Sequence, residues 1–308
     1  DYDYFIASNY IHRSSIIRAE AAREVGYFRD NIGGYEEFEY HLRLIEEIPH
    51  NEIVHIPFIL IHIHGFQDEP GSRGFLDVSG RSNNILEEHF NRLKKPVRIE
   101  SYDRDNYFRF IWPTNQQEPL VSVIIPTKDK YQYIKTCLDG LINKTNYSNL
   151  EIILIDNGSS DTRVVDYYEE IIKKENIEIV WDTLPFNFSR LINLGVSKSK
   201  GEILLLLNND VDIIDADWLR EMVNQVLRNN VGIVGAKLLY ENDTIQHGGV
   251  ILGIHNTKGS VAGHSHINFP KSSSGYYQKL KTVHNQSCVT GACLATRREI
   301  FEQVGGFD

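Results

Sequence analysis

The chain has 308 residues, 41% of them apolar, so it is long enough for one large or two modest globular domains. Its 32 lysines and arginines stand against 42 aspartates and glutamates, a formal net charge of −10, which argues against a broad electrostatic grip on nucleic acid or anionic lipid. No apolar run approaches the roughly 20 residues that span a bilayer, and no signal peptide is visible. The cysteines Cys137, Cys288 and Cys293 form no CxxC pair, which favours small buried thiols in a reducing cytosol.

The first 118 residues mix helical and extended segments. Apolar periodicity predicts helices over residues 16–25, 37–46 and 82–93 and an extended run over 53–63. Residues 94–118 form a polar stretch with prolines at Pro96 and Pro113, which indicates a connector, and we place a domain boundary near Pro119.

From residue 120 onward, strands and helices alternate. The predicted strands are 120–126, 150–155, 177–181, 201–207 and 232–239, with helices over 131–144, 161–172, 188–197 and 218–228. Because several strands are apolar on both faces, the pattern predicts an α/β fold with a parallel sheet between two layers of helices. The alternation of strands and helices stops after Tyr240. Residues 248–275 suggest loops over a site, followed by a strand over 282–295 and a helix over 298–304.

Polar side chains follow three of these strands, where ligands of such sheets bind. Thr127 ends the first strand, Asp156 the second, and Asn208, Asn209 and Asp210 follow the fourth. A carboxylate delivered by an apolar strand is costly without a cation, so Asp210 is a candidate ligand for Mg²⁺ or Mn²⁺. An Asn-Asn-Asp turn that caps the next helix explains the same residues equally well.

Asp156 also has a plain interpretation, since Asp-Asn-Gly is a common turn. The sequence contains neither a G-x-G-x-x-G fingerprint nor a G-x-x-x-x-G-K-[ST] loop, which disfavours a dinucleotide or Walker-type phosphate site.

Six segments in order resemble family 2 glycosyltransferases of the GT-A fold, particularly bacterial enzymes that build O-antigen or capsular polysaccharide. They are PLVSVIIPT (119–127), IDNGSSD (155–161), FNFSRLIN (186–193), LNND (207–210), VTGAC (289–293) and VGGFD (304–308). The resemblance covers residues 119–308 and implies a Rossmann-like, mostly parallel sheet flanked by helices.

The resemblance also implies roles for single residues. The nucleotide sugar would be bound by Thr127, Asp156, Asn187, Arg190 and Asn209, with Asp156 at the base. Asp210 would hold a divalent cation on the diphosphate, in the place of the family's DxD motif. Asn208 replaces the first aspartate of that motif, so Asp210 is its only carboxylate. Gly291 lies where the acceptor side begins, whereas His264 is interpreted as a surface histidine.

A short internal sequence repeat suggests a second copy of the family's later elements near the start of the chain. Residues 23–28 resemble residues 302–307, with Gly26 on Gly305. In the GGYEEFEYHLR segment that follows (33–43), Glu37 falls on the position of the family's catalytic base. The IPFILIH segment (56–62) resembles the next strand, whose His62 would approach the metal. A solvated helix face is the alternative for Glu36, Glu37 and Glu39.

We therefore expect a piece of a tandem enzyme with a smaller α+β N-terminal segment. Residues 1–70 would be the acceptor-side end of a preceding domain, 71–118 a helical linker and 119–308 the truncated donor-binding part of a second domain. Residues 1–65 could dock on the second domain and place Glu37 opposite Asp210.

The expected reaction is inverting transfer of a sugar from a nucleotide diphosphate sugar to a hydroxyl of a glycan or lipid-linked glycan. The expected location is the cytoplasm, including the inner face of the membrane as a peripheral protein. A non-catalytic nucleotide-sugar-binding module is the alternative. A nucleotidyltransferase ranks lower because the loop after the first strand has no glycine.

Overall fold

The computed structural model describes residues 1–11, 15–58, 60, 80–102, 107–113, 117–174, 176–253 and 262–308. The chain divides into two compact units. Unit 1 comprises Asp1–Pro113 and Ser272–Asn285, and unit 2 comprises Thr114–Lys271 and Gln286–Asp308. Within the described ranges, no helix is both long and apolar enough to cross a membrane.

Unit 1 is an α+β unit. Its described elements are the helices α1 (Tyr2–Ser8), α2 (Ala19–Val25), α3 (Glu36–Glu47) and α4 (Gly80–Arg92) and the strands β1 (Arg98–Tyr102) and β2 (Tyr107–Ile111). The predicted helices 16–25, 37–46 and 82–93 are confirmed within three residues at each end. The predicted extended run 53–63 shows no regular structure over residues 53–58, and its remainder lies mostly outside the described residues.

The prediction of a polar connector over residues 94–118 is wrong for its middle part. Strands β1 and β2 pair there as an antiparallel hairpin. The hairpin is held by its apolar side chains, because Phe108 is 1% exposed and packs with Phe5, Phe90 and Trp112 in one core. Burial of these aromatic groups stabilises the hairpin, which could not persist alone in water.

A buried ion pair joins α2 to α3. Glu39 is fully buried, and its two oxygens accept hydrogen bonds from Arg43 at 2.8 and 2.9 Å. Arg43 also donates to the carbonyl oxygens of Val25 and Tyr27, across the turn in which Gly26 has a φ of 87°. Glu39 is therefore part of the fold, and the solvated-face interpretation is wrong for this residue.

His41 makes the stability of the chain depend on pH. Burial lowers the pKa of its imidazole from 6.5 to about 4, and its Nδ1 has no hydrogen-bond partner among the described residues. Since the unfolded state binds the proton more tightly, this contribution is complete above pH 6.5 and is lost as the pH falls towards 4. Between pH 7 and pH 5 the unfolding free energy should drop by about 2 kcal/mol more in the wild type than in His41→Asn. Urea unfolding at both pH values measures this difference, and equal drops in the two proteins would contradict the assignment.

Unit 2 contains a six-stranded sheet in the order β5-β4-β3-β6-β12-β7. The strands of the unit are β3 (Val121–Thr127), β4 (Leu150–Asp156), β5 (Ile177–Trp181), β6 (Ile203–Leu207), β7 (Ile233–Gly235), β8 (Leu238–Leu239), β9 (Ile245–His247), β10 (Val250–Leu252), β11 (Ala262–His264) and β12 (Cys293–Arg297). Strands β3, β4, β5 and β6 are parallel, and β12 runs antiparallel to both of its neighbours. The predicted mostly parallel sheet is confirmed.

Helices cover both faces of this sheet. They are α5 (Tyr131–Asn143), α6 (Thr162–Ile171), α7 (Phe188–Lys198), α8 (Trp218–Val226) and α9 (Arg298–Gln303). Alternate residues of β3 point to opposite faces. Val123 and Ile125 pack in a core with α5, α6 and α8, whereas Ile124 packs with α7 and α9. The helix layers thus explain why these strands are apolar on both faces.

Two predicted strands differ from the structure. The strand predicted over 232–239 divides into β7 and β8, which belong to different sheets. The strand predicted over 282–295 is formed only by its end, at β12, because residues 272–285 fold into unit 1. Within that unit the Tyr4 hydroxyl donates to the Tyr276 carbonyl oxygen at 2.7 Å.

Candidate functional site

We call the region at the carboxyl ends of β3 and β6 the crevice of unit 2. Strands β4 and β5 extend the sheet to one side of β3 and β6 extends it to the other, so this is the point at which the strand order switches. Ligands of open α/β sheets bind at such a point. Here Asn209 Nδ2 donates to Thr127 Oγ1 at 2.9 Å and links the two strand ends.

Asp156 lies at the end of β4, next to Thr127, its register partner on β3. It is fully buried, and both of its oxygens accept protein hydrogen bonds. Oδ1 accepts from Ser159 N at 2.6 Å, and Oδ2 accepts from the hydroxyls of Ser159 and Tyr168 at 2.6 and 2.8 Å. Burial and the Asp156 carboxylate raise the pKa of Tyr168, which keeps its hydroxyl as a donor. Because the side chain is fully buried, direct contact of Asp156 with a ligand requires the groups that cover it to move.

Asp129 ties the loop after β3 to the loop after β4. Its Oδ1 accepts from the backbone N–H groups of Ser160 and Asp161 at 2.7 and 2.9 Å, and its own N–H donates to Ser159 Oγ at 2.6 Å. The N–H groups of Asp161 and Ser160 lower the pKa of the Asp129 carboxyl. The residue has a φ of 52°, in the left-handed region that Asp tolerates better than most residues.

A second polar network surrounds the start of α7. Asn157 Nδ2 donates to the carbonyl oxygens of Asp182 and Leu184, both at 2.8 Å. Arg190 forms an ion pair with the buried Asp182 and donates to a carbonyl of the same loop. Asn187 Oδ1 caps α7 by accepting from Arg190 N at 2.8 Å. Asn187 and Arg190 thus shape one loop beside the Asp156 network.

Asp210 stands in the turn that follows β6. Its side chain is exposed, and it has neither a hydrogen-bond nor an ion-pair partner in the described part of the chain. Mg²⁺ and Mn²⁺ sites on phosphate ligands commonly use one or two carboxylates and complete the shell with phosphate oxygens and water. Over the same part of the chain no three His, Cys, Asp or Glu side chains group as a metal site. Asp210 therefore fits a cation shared with a phosphate ligand, and not an all-protein metal cage.

Helix α5 packs against the turn that contains Asp210 and against the residues that flank it. Cys137 Sγ donates to the Asn208 carbonyl oxygen at 3.7 Å, and Lys144 pairs with Asp212 at 2.8 Å. A Cβ on Gly140 would lie 2.9 Å from Ile213 Cγ1, so the turn packs closely on the helix. Burial and the nearby Asp210 carboxylate raise the pKa of Cys137 to about 12, which leaves its thiol protonated and inert.

A histidine pair flanks the residues that precede β12. His247 is 1% exposed, and its Nδ1 lies 3.2 Å from Nδ1 of the exposed His264. Burial, with a smaller effect of His264, lowers the pKa of His247 to about 4. Thr290 N donates to His247 Nε2 at 3.5 Å, and Gly291 follows it beside Phe188, so the pair borders the loop before β12.

The predicted site residues fall into three groups. Thr127, Asp156 and Asn209 lie together at the strand ends, because Thr127 pairs with Asp156 in the sheet and accepts a hydrogen bond from Asn209, which Asp210 follows in the chain. Asn187 and Arg190 belong to the adjoining network. Glu37 lies on α3 in unit 1, and His62 lies outside the described residues.

Sequence reasoning missed Tyr168 and Asp182. Tyr168 belongs to the buried stripe of α6 with Val164 and Ile171, where it is indistinguishable from a core aromatic residue. Asp182 could have been found, since it directly follows β5 as Asp156 ends β4.

The fold defines an open, mostly parallel α/β unit, and comparison with known proteins identifies its family. The family model "Glycosyl transferase family 2" matches residues 122–305. The chain therefore belongs to the family 2 glycosyltransferases, which confirms the predicted GT-A class.

Two curated relatives match almost the whole chain. The uncharacterized protein y4gI of Sinorhizobium fredii is 37% identical over 99% of this chain and 34% of its own length. The O-antigen biosynthesis protein RfbC of Myxococcus xanthus is 32% identical over 99% of this chain and 24% of its own length. The chain thus spans about a third of the length of the first relative and about a quarter of the length of the second.

Among solved structures, the chain is similar to a mannosyltransferase of Pyrobaculum calidifontis in complex with GDP-Man and Mn²⁺. The sequence identity is 19% and the TM-score 0.46, over 73% of this chain and 55% of that chain. A likeness of this size carries no information about ligands.

Proposed function

We propose that unit 2 binds a nucleotide diphosphate sugar together with a divalent cation and donates the sugar to a glycan hydroxyl in cell-surface polysaccharide synthesis. Membership of family 2 and the O-antigen relative support this role. The observation that carries the proposal is the carboxylate of Asp210, which is exposed and has no partner among the described residues, beside the Thr127–Asn209 link at the switch point.

Different residues of unit 2 would bind different parts of the donor. Thr127 and Asn209 would line the crevice over the strand ends, and Asn187 and Arg190 would shape its wall at α7. Asp210 would hold the cation. When bound, that cation would supply Lewis-acid stabilisation of charge on the diphosphate.

The chemical step would be an inverting displacement. A carboxylate removes the proton of the acceptor hydroxyl while its oxygen forms a bond to the anomeric carbon. The bond from that carbon to the diphosphate breaks, and its electron pair leaves with the nucleoside diphosphate. We propose Glu37 as the base, because it occupies the matching position in the GGYEEFEYHLR segment. We keep a cation contact of His62 and a cytoplasmic location as predictions from the same resemblance.

Nucleotide-sugar consumption tests this function on the full chain. UDP-, GDP- and dTDP-sugars are incubated with Mn²⁺ and a mixture of oligosaccharide acceptors, and the released nucleoside diphosphate is measured. We expect one nucleotide series to be consumed, and consumption to be lost in Glu37→Gln with donor binding retained. Binding without consumption in any series would favour the non-catalytic module, and no binding would contradict both functions.

A further inference from the structure

Tyr168 occupies the centre of the polar network at the switch point. It is 3% exposed and lies on α6, away from the strand ends along the chain, yet its hydroxyl reaches them. The hydroxyl donates to Asp156 Oδ2 at 2.8 Å, and the side chain of Thr127, the register partner of Asp156 on β3, lies beside it.

Two hydrogen bonds meet at this place. Asn209 Nδ2 is a donor only, so Thr127 Oγ1 accepts from it. Tyr168 donates to Asp156, whose register partner is Thr127. A polar connection therefore runs from Asn209 through Thr127 to Tyr168 and the buried carboxylate of Asp156.

The two ends of this polar connection lie on different sides of the crevice. Asp156 holds the loop after β4 through Ser159, and Asn209 precedes Asp210 in the turn after β6. From this geometry we infer that Tyr168 is a positioning residue, whose hydroxyl holds the loop after β4 and the Asp210 turn in the register that binds a nucleoside diphosphate and its cation together.

This inference rests on the proposed function and adds a residue that touches no substrate. The buried position of Asp156 agrees with it, because a carboxylate whose two oxygens accept from Ser159 and Tyr168 serves as an anchor for its loop.

The substitution Tyr168→Phe removes one oxygen and leaves the ring in its core. Tyr167→Phe is the matched control: Tyr167 is the preceding residue of α6, is 6% exposed, and its hydroxyl bonds Asp139 at 3.4 Å, outside this network. The affinities of the full-length variants for UDP, GDP and dTDP are measured by calorimetry with Mn²⁺. For the probe that the wild type binds best, we expect Tyr168→Phe to raise Kd about tenfold and Tyr167→Phe to change it less than twofold.

A double-mutant cycle separates positioning from a general loss of stability. If Tyr168 and Asn209 act through one polar connection, adding Asn209→Ala to Tyr168→Phe should raise Kd less than about threefold beyond the weaker-binding single variant. Each substitution would then break the same connection. Independent effects that multiply would overturn the inference, as would a Tyr168→Phe protein that binds like Tyr167→Phe. A wild-type chain that binds none of the three probes would overturn the proposed function and the inference with it.

Discussion

Asp210→Asn should weaken Mn²⁺-dependent binding of the preferred nucleoside diphosphate about 100-fold, as measured by calorimetry on the full chain. The substitution keeps the size of the side chain and removes the charge that the proposed cation needs. Since the Asp210 side chain makes no hydrogen bond or ion pair among the described residues, the folded state should lose little stability. With EDTA in place of Mn²⁺, wild type and variant should bind equally weakly.

Asp212→Asn provides the matched control. Asp212 is also exposed and lies two residues further along the same turn, but its carboxylate is paired with Lys144 at 2.8 Å. We expect the control to change the affinity less than about threefold, because exposed ion pairs contribute little. If Asp212→Asn were the more damaging substitution, Asp210 could not be the main cation ligand.

Gly201→Ala should destabilise unit 2 by about 3 kcal/mol, because the site has no room for a methyl group. A Cβ at this position would lie 2.5 Å from Ser122 Oγ and 2.6 and 2.7 Å from the backbone O of Leu120 and N of Ser122. Relief requires the backbone to shift, which would strain the bond from Gly201 N to Ser122 Oγ at 2.7 Å. The loss is measured as the change in unfolding free energy in urea.

Gly232→Ala is the control for this effect. Apart from Gly232 and its two chain neighbours, no heavy atom of the described residues lies within 4 Å of a Cβ at this position, and its φ is not in the left-handed region. We expect the unfolding free energy to change by less than about 0.5 kcal/mol, or to rise slightly because alanine restricts the unfolded chain. Similar losses for the two glycines would show that the Gly201 contact does not limit stability.

The sheet of unit 2 could be predicted because its central strands are buried on both faces. Strand β6 (Ile203–Leu207) is fully buried along its length, so an unbroken apolar run was a sufficient signal. The hairpin of β1 and β2 was missed because its strands have only five residues each and lie in a polar segment. Its stability comes from the distant Phe5 and Phe90, which no local pattern reveals.

The residues of the candidate site also divide into those that the sequence reveals and those that only the folded structure reveals. Asp210 could be singled out because it follows the fully apolar strand β6 and falls on the place of the family's metal-binding motif. Tyr168 could not, because its role depends on a hydroxyl that meets Asp156 and Thr127 only after α6 packs on the sheet. The roles of Glu37 and His62 stay predictions from resemblance.

The most direct measurement of the central claim is a crystal structure of the full chain soaked with Mn²⁺ and the nucleoside diphosphate that it binds best. Our account predicts an anomalous manganese peak within bonding distance of the Asp210 carboxylate, with the diphosphate on the same ion and the nucleoside over the ends of β3 and β4. Manganese and nucleotide bound together elsewhere on the chain, with the Asp210 carboxylate free, would contradict it.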